Sequence, residues 1–556
     1  MKVVFLAANC SFSHTSLAAW CLRSVVNEAD WSWQTVEPTI AECPDLVMAQ
    51  VMAGRPAVVA ATLYLFNRDY VLGILGRIRE LAPGCLIVVG GPECLGDNAA
   101  LVRPRGIADA AVRGEGERAF PELLERWLAG KAVDDIPGVC TGTNNSLRTL
   151  ALPVEDLDAL PSFYHRELAG FTKPFIQLET SRGCGNGCLF CTSRKTVPRF
   201  RSLERVRGDL QQINTAGIRE VRVVDRTFNE QASRAIALTR LFRDEFPGLR
   251  FHLEIDPARF GEALAREFAL ALPGQFHIEA GIQSLSQVVY SAIERQATVG
   301  RTLEGLARLC GVKTVQVHVD LIAGLPGETF PDLVSDLNQL IGLGPAEIQL
   351  ERLKLLPGTP LADAPERWGL VASPDAPYGI LSTPSMTPGD LERSDRLSKI
   401  LDWFYNVDSL RDLIAEGVRG SSAFFEGFEL WAAGRMSFGI CPNLEDRFKI
   451  LAEYLDACGG HARKGVLPRL HYKWYRMGFS VRKGPCPATP WKREIPPGAT
   501  LVDGEPGVRA ARTWQVALDV PHLFSYGTGK HGERAVVAVY RLESEEGNLN
   551  RSREAR

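Results

Sequence analysis

The sequence predicts an α/β chain in three parts: a doubly wound parallel-sheet domain, a partial (β/α)6 barrel and a mostly helical carboxy-terminal domain. Two patterns and the length predict it. Short β-branched runs alternate with segments of helical spacing over residues 1–140 and again over 174–380, the pattern of parallel strands covered by helices. From about Ser382 the alternation gives way to helical spacing. At 556 residues the chain exceeds what one hydrophobic core serves, so two or three domains are expected.

In the first part the predicted strands are Lys2–Ala7, Trp31–Glu37, Ala57–Leu63, Leu86–Val89 and Ala110–Val112. Asp69–Leu81 and Glu117–Leu128 carry apolar residues on one helical face and charges on the other. Such sheets bind ligands at the carboxyl ends of their strands. The turn-forming residues fall there, in Asn9–Ser16, Thr62–Asn67, Gly90-Gly91-Pro92 and Gly114-Glu115-Gly116-Glu117. Residues 141–173, rich in Gly, Asn, Pro and Ser, read as a domain crossing.

The barrel strands are expected at Phe175–Leu178, Val221–Asp225, Phe251–Ile255, Phe276–Gly281, Val315–Ile322 and Ile348–Leu353. Helices over Gln231–Phe246, Gly261–Ala271 and Phe330–Ile341 separate them, and six units make a barrel open on one side. Chemistry is expected at the carboxyl ends of the strands. Asp225 and Asn229 follow the second strand, Glu254 ends the third, and Glu279, Gln283 and Ser284 surround the end of the fourth, with Arg295 one helix later. Taken singly, each charge also reads as a barrel-top ion pair.

After the first barrel strand comes Glu179-Thr-Ser-Arg-Gly-Cys-Gly-Asn-Gly-Cys-Leu-Phe-Cys191, which brings Cys184, Cys188 and Cys191 into one glycine-rich loop. Three thiolates so placed suit a four-iron cluster whose fourth iron stays open to a substrate. A structural zinc site is the competing reading, but it takes four protein ligands, commonly as two separate pairs. The nearest imidazole, His165, precedes the strand.

The spacing of the three cysteines, with Phe190 before the last, resembles the signature of radical S-adenosylmethionine (SAM) enzymes. The resemblance implies a [4Fe-4S] cluster on Cys184, Cys188 and Cys191, with SAM on the open iron as the source of a 5′-deoxyadenosyl radical. It places the methionine part of SAM near Asp225 and Asn229, its carboxylate near Arg295, and its adenine near Asp320–Glu328, although the usual Gly-Gly-Glu after the second strand is missing. The glycine loops of the first part, upstream of such a barrel, resemble the flavodoxin-like cobalamin-binding domain of cobalamin-dependent radical SAM proteins. There Gly90, Gly91, Gly114 and Glu115 would meet the cofactor, Thr62 would line the same groove, and His14 would be the nearest axial ligand. No Asp-x-His-x-x-Gly occurs, so a standard lower axial histidine is not implied. His14 also reads as a loop-bonding residue.

The expected domains are thus 1–140 for cobalamin, 141–173 as linker, 174–380 for the radical SAM barrel, 381–540 as an accessory domain and 541–556 as a disordered tail. Thr387-Pro-Gly-Asp390 reads as a capping box ahead of a helix over Leu391–Tyr405, and the region resembles an uncharacterised domain of one branch of the family. His461–Glu494 interleaves basic with aromatic residues, a pattern that fits a nucleic-acid track but reads better as a solvated basic face.

A net charge of −3, 45% hydrophobic and 23% charged residues exclude a chain that mainly coats nucleic acid or anionic membrane. Thirteen irregularly spaced cysteines suit a reducing cytoplasm rather than a disulfide framework. The expected enzyme is a cobalamin-dependent radical SAM methyltransferase acting on an unactivated carbon of a small molecule or peptide. A flavodoxin- or ferredoxin-type electron donor is its expected partner; membrane and nucleic acid are not. Three alternatives stand beside it: a cobalamin-using radical cyclase or rearrangement enzyme, a transfer-RNA methylthiotransferase with a second cluster on Cys10, Cys43 and Cys85, and a nucleic-acid-binding sensor.

Overall fold

The computed structural model describes residues 1–102, 106–144, 149–486, 488–491, 495–496, 499–504, 512–518, 522–528 and 534–542. Two compact units divide the chain, residues 1–336 with 349–394, and residues 337–348 with 395–556.

The first unit holds two six-stranded sheets. In the amino-terminal sheet β1 (Lys2–Leu6), β2 (Ser32–Val36), β3 (Val58–Thr62), β4 (Leu86–Gly90), β5 (Ala110–Val112) and β6 (Val139–Thr141) lie in the order β2-β1-β3-β4-β5-β6. The first five run parallel, and β6 turns back antiparallel on β5. Val59, Ile87 and Val89 pack with Ile74, Leu75 and Ile78 of the helix Arg68–Leu81. Strands covered on both faces need the continuous β-branched runs seen here. Residues 149–173 are tied down at several points: Ala151 N–H donates to Arg113 O at 2.8 Å, Ser162 Oγ to Asp209 at 2.7 Å, and Tyr164 O–H to Gln177 O at 2.7 Å.

The second sheet begins at β7 (Ile176–Leu178), followed by a hairpin of β8 (Ser181–Cys184) and β9 (Thr196–Phe200). It continues through β10 (Glu220–Val223), β11 (Arg250–Ile255), β12 (Phe276–Gln283), β13 (Val315–Ala323) and β14 (Glu347–Arg352) in the order β14-β13-β12-β11-β10-β7. The first and last strands lie at opposite edges, which is the open barrel expected from six units. β11 to β13 alternate strictly, with Phe251, Leu253, Phe276 and Ile278 buried while His252, Glu254, His277 and Glu279 point to the other face. That polar face is the wall a reactant would meet.

A small pair, β15 (Val371–Ala372) and β16 (Ile380–Ser382), follows the barrel. The capping box forms reciprocally: Thr387 N–H donates to Asp390 Oδ2 at 3.0 Å and Asp390 N–H to Thr387 Oγ1 at 3.2 Å. The second unit is mostly helical, with helices at Asp408–Gly420, Phe424–Ala433, Leu444–Cys458 and Leu467–Arg476. It also contains a sheet that the helical reading did not include: β17 (Ala488–Trp491), β18 (Thr500–Gly504), β19 (Arg512–Val516), β20 (His522–Thr528) and β21 (Arg534–Arg541), in the order β17-β19-β20-β21-β18. The expected tail lies, from Glu543, outside the described residues.

Several cations of the basic run are used inside this unit. Arg469 pairs with Asp412 at 3.0 Å, Arg463 with Asp456 at 2.8 Å, Lys473 with Asp412, and Arg476 with Asp503. Less charge remains for a phosphate backbone. Among the described residues no helix is long and apolar enough to cross a membrane.

Candidate cofactor cavity and cysteine loop

The β8–β9 hairpin presents the three cysteines. Gly183, at φ 98°, lets the strands close, because a side chain there would meet Val197 O at 2.6 Å. At Gly187 a Cβ would lie 2.8 Å from Glu294 O. Backbone bonds fix the loop: Lys195 N–H to Asn186 O at 2.8 Å, Cys191 N–H to Cys188 O at 3.1 Å, and Leu189 N–H to Ile293 O at 3.0 Å. Cys184 and Cys188 are buried, at 9% and 6% exposure. Cys184 Sγ lies 3.4 Å from Thr227 Oγ1, and Cys191 Sγ accepts from Ser193 N–H at 3.4 Å.

The barrel ends supply a second layer. Asp225 is buried and accepts from Thr180 N–H at 2.7 Å, Ser181 N–H at 2.8 Å and the Thr180 hydroxyl, so it locks β10 to the start of the cysteine loop. Asn229 is likewise engaged: its Nδ2 donates to Asp256 O and its Oδ1 accepts from Asp256 N–H, each at 2.9 Å. Both hold the barrel end together through these bonds. Ser284 donates to Asp336 at 3.0 Å and thereby holds the end of β12, where Gln283 takes a positive φ of 74°. Glu279 sits 2.9 Å from His252 Nε2, which holds its carboxyl below the usual range despite burial.

Asp256, which sequence reasoning missed, is the hub. Asn186 Nδ2 of the cysteine loop donates to it at 3.2 Å, and Arg295 and Arg259 each lie 3.6 Å away. Arg295 donates one Nη to Gly281 O at 2.7 Å, while its buried Nε has no protein partner. Asp256-Pro257 is a local turn-capping signal, with Ala258 N–H donating to Asp256 at 3.0 Å, but the partners Asn186 and Arg295 come from distant segments.

A cavity of about 910 Å³ opens between the strand ends of the amino-terminal sheet and the flank of the cysteine loop. Thr62, Gly90, Gly91, Gly114 and Glu115 line it from one side, and Gly183, Thr192, Ser193, Arg226 and Glu254 from the other. His14 is not among its walls. Its Nδ1 lies 2.9 Å from Ser11 Oγ and its ring stands edge-on to Phe175, the loop-bonding alternative of the sequence reading. Cys10 and Cys43 follow the carboxyl ends of β1 and β2, whereas Cys85 precedes β4 at the amino ends of the parallel strands, so the three do not converge.

Family models match this architecture in order. The B12 binding domain matches residues 3–124, the radical SAM superfamily residues 178–340, and a protein family of unknown function, DUF4080, residues 366–489. The chain carries a B12-binding domain and a radical SAM domain. Among curated relatives, the cobalamin-dependent radical SAM methyltransferase TokK of Streptomyces tokunonensis is 24% identical over 409 residues, covering 68% of this chain and 59% of TokK. A tRNA-2-methylthio-N(6)-dimethylallyladenosine synthase of Magnetococcus marinus is 26% identical over 318 residues, covering 54% of this chain and 67% of that one. The radical SAM methyltransferase TsrM from Kitasatospora setae, solved with cobalamin and a [4Fe-4S] cluster, superposes with a TM-score of 0.56 at 18% identity, covering 82% of this chain and 99% of TsrM. The chain spans 60%, 53% and 59% of the length of three of its curated relatives.

The radical SAM domain implies a [4Fe-4S] cluster and SAM, and the B12-binding domain implies cobalamin. The residues fit the first two. Burial pushes the Cys188 thiol up to about 11 and raises Cys191 as well, and three thiols on one glycine-rich loop are a donor set that suits a cluster. The orphaned Arg295 Nε is a donor suited to an anionic group. The cavity, floored by glycines, suits the bulk of cobalamin.

Glu254 is the titrating wall of the cavity. Burial, reinforced by the nearby Glu279 carboxylate, pushes its carboxyl from 4.5 up to about 7, with Arg226 and His252 opposing. At pH below 4.5 both folded and unfolded chains are protonated there; between 4.5 and 7 only the unfolded chain ionises, so folding is progressively disfavoured, with the full penalty above pH 7. In the cofactor-free chain Glu254→Gln should therefore raise the melting temperature at pH 8 and leave it unchanged at pH 4, as read by thermal denaturation across pH. Equal shifts at both would remove this carboxylate from the account.

Proposed function

We propose that this chain is a cobalamin-dependent radical SAM methyltransferase that methylates an unactivated carbon of a small-molecule or peptide substrate. The observation that carries the reading is the single cavity walled by the glycine loops of the B12-binding domain on one side and the flank of the cysteine loop on the other. When bound, the cluster and SAM supply a 5′-deoxyadenosyl radical and cobalamin supplies the methyl group.

The chain's own residues do the positioning. Cys184, Cys188 and Cys191 hold the cluster, and Asp225 fixes the entry of their loop through Thr180 and Ser181. Arg295, oriented by Gly281 O and the nearby Asp256, offers its free Nε to the SAM carboxylate. Gly90 and Gly91 would leave one wall of the cavity bare for cobalamin, and Glu254 would meet a group held in the cavity. An external low-potential electron donor completes the system.

Product analysis under reducing, anaerobic conditions tests the reading. Methyl transfer with radical abstraction consumes SAM in two ways, so both 5′-deoxyadenosine and S-adenosylhomocysteine should appear. 5′-Deoxyadenosine without S-adenosylhomocysteine would replace methylation by cobalamin-assisted cyclisation or rearrangement. Neither product, with salt-sensitive nucleic-acid binding, would favour the sensor.

A further inference from the structure

Between the two cofactor sites lies a closed lattice of six charges. Arg182, on β8 two residues before Cys184, donates through Nε to Glu179 at 2.8 Å, through Nη1 to Glu115 at 3.0 Å, and through Nη2 to Glu117 at 2.6 Å. Glu115 and Glu117 stand at the start of the helix Gly116–Leu128 that follows β5, and both line the cavity. Each outer acid is held from behind: Glu115 by Arg199 Nη1 and Val154 N–H, both at 3.1 Å, and Glu179 by Arg201 Nη2 at 3.3 Å. Three arginines face three glutamates, so the charges balance. The Arg182 and Glu117 side chains are 13% and 7% exposed.

We infer that Arg182 is a positioning residue that sets the geometry between cobalamin and the iron-sulfur cluster, by clamping the cavity loop of the B12-binding domain to the strand that carries Cys184. The inference rests on the functional reading above. Its physical basis is the stiffness of both halves of the link. On one side, Arg182 stands only two residues before Cys184, in a hairpin closed tightly at Gly183. On the other, a planar guanidinium with every nitrogen engaged has one orientation. A lysine ammonium cannot reproduce the three-way fork. The clamp is a fixed strut. Chemistry that needs two cofactors to meet one substrate atom tolerates little slack, because a shift of about 1 Å can slow it roughly 10²-fold.

The test uses the full chain loaded with cobalamin and cluster and reduced so that both are paramagnetic. The wild type should show one resolved dipolar splitting in its electron paramagnetic resonance spectrum. Arg182→Gln, with both cofactors retained by iron and cobalt analysis, should lose that splitting into a broad distribution, and Arg182→Lys should recover it in part. A splitting in Arg182→Gln as sharp as in the wild type overturns the inference alone. If Arg182→Gln takes up neither cofactor, Glu117→Gln, which removes one of the three bonds, is read by the same two outcomes. A wild-type chain that takes up no cobalamin overturns the functional reading, and this inference with it.

Discussion

Cys184→Ala should bring SAM cleavage down to background, a loss of roughly 10⁶-fold or more, while the chain stays folded and still takes up cobalamin. The sulfur's only bonded neighbour given by the structure is Thr227 Oγ1, 3.4 Å away, so its removal leaves no buried charge and strains no backbone. What is lost is one of three ligands to a cluster, and two thiolates do not hold a cube with one open iron. Iron analysis, a melting curve and a 5′-deoxyadenosine assay on the same sample separate these effects. A variant that still cleaves SAM would remove Cys184 from the site.

Two neighbouring glycines should behave oppositely. At Gly90 an added Cβ would meet only Val112 O at 3.6 Å and Val112 Cβ at 3.9 Å, ordinary contacts, with the rest of the side chain entering the cavity. Gly90→Leu should fold with near-wild-type stability and fail to retain cobalamin. At Gly91 φ is 99°, and a Cβ would lie 2.7 Å from both Leu63 O and Thr62 Oγ1. Gly91→Ala should destabilise the chain by about 2–5 kcal/mol, the sum of left-handed backbone strain and a forced shift of β3. Chemical denaturation with spectra of bound cobalamin reads both. Retained cobalamin in Gly90→Leu would place the cofactor elsewhere.

The same pair shows how far the sequence could be read. Val-Val-Gly-Gly-Pro marks a strand end with a bare backbone, but not which glycine serves the ligand and which serves the fold. That distinction belongs to the adjacent strand, and the sequence does not display it. The three cysteines were legible because spacing alone brings them together. Thr62, Gly114, Glu115 and Glu254 were legible as strand ends, where a parallel sheet and an open barrel both place their ligands.

Asp225 and Asn229 were legible as strand-end residues, yet their partners are main-chain groups up to 45 residues away, a relation no local pattern encodes. Asp256 and Arg182 were missed for the same reason, with partners 70 and 67 residues distant. In the second unit, Arg534–Arg541, seen as β21, is a continuous apolar run between two arginines with no polar alternation, and it follows a long stretch of helical spacing.

The central claim, that one cavity joins a cobalamin site to a three-cysteine cluster site, is tested most directly by metal analysis after anaerobic reconstitution with iron, sulfide and cobalamin. One cobalt and about four irons per chain, with Gly90→Leu losing the cobalt and Cys184→Ala the iron, is the predicted result. No cobalt uptake by the wild type, or about eight irons per chain, would contradict it.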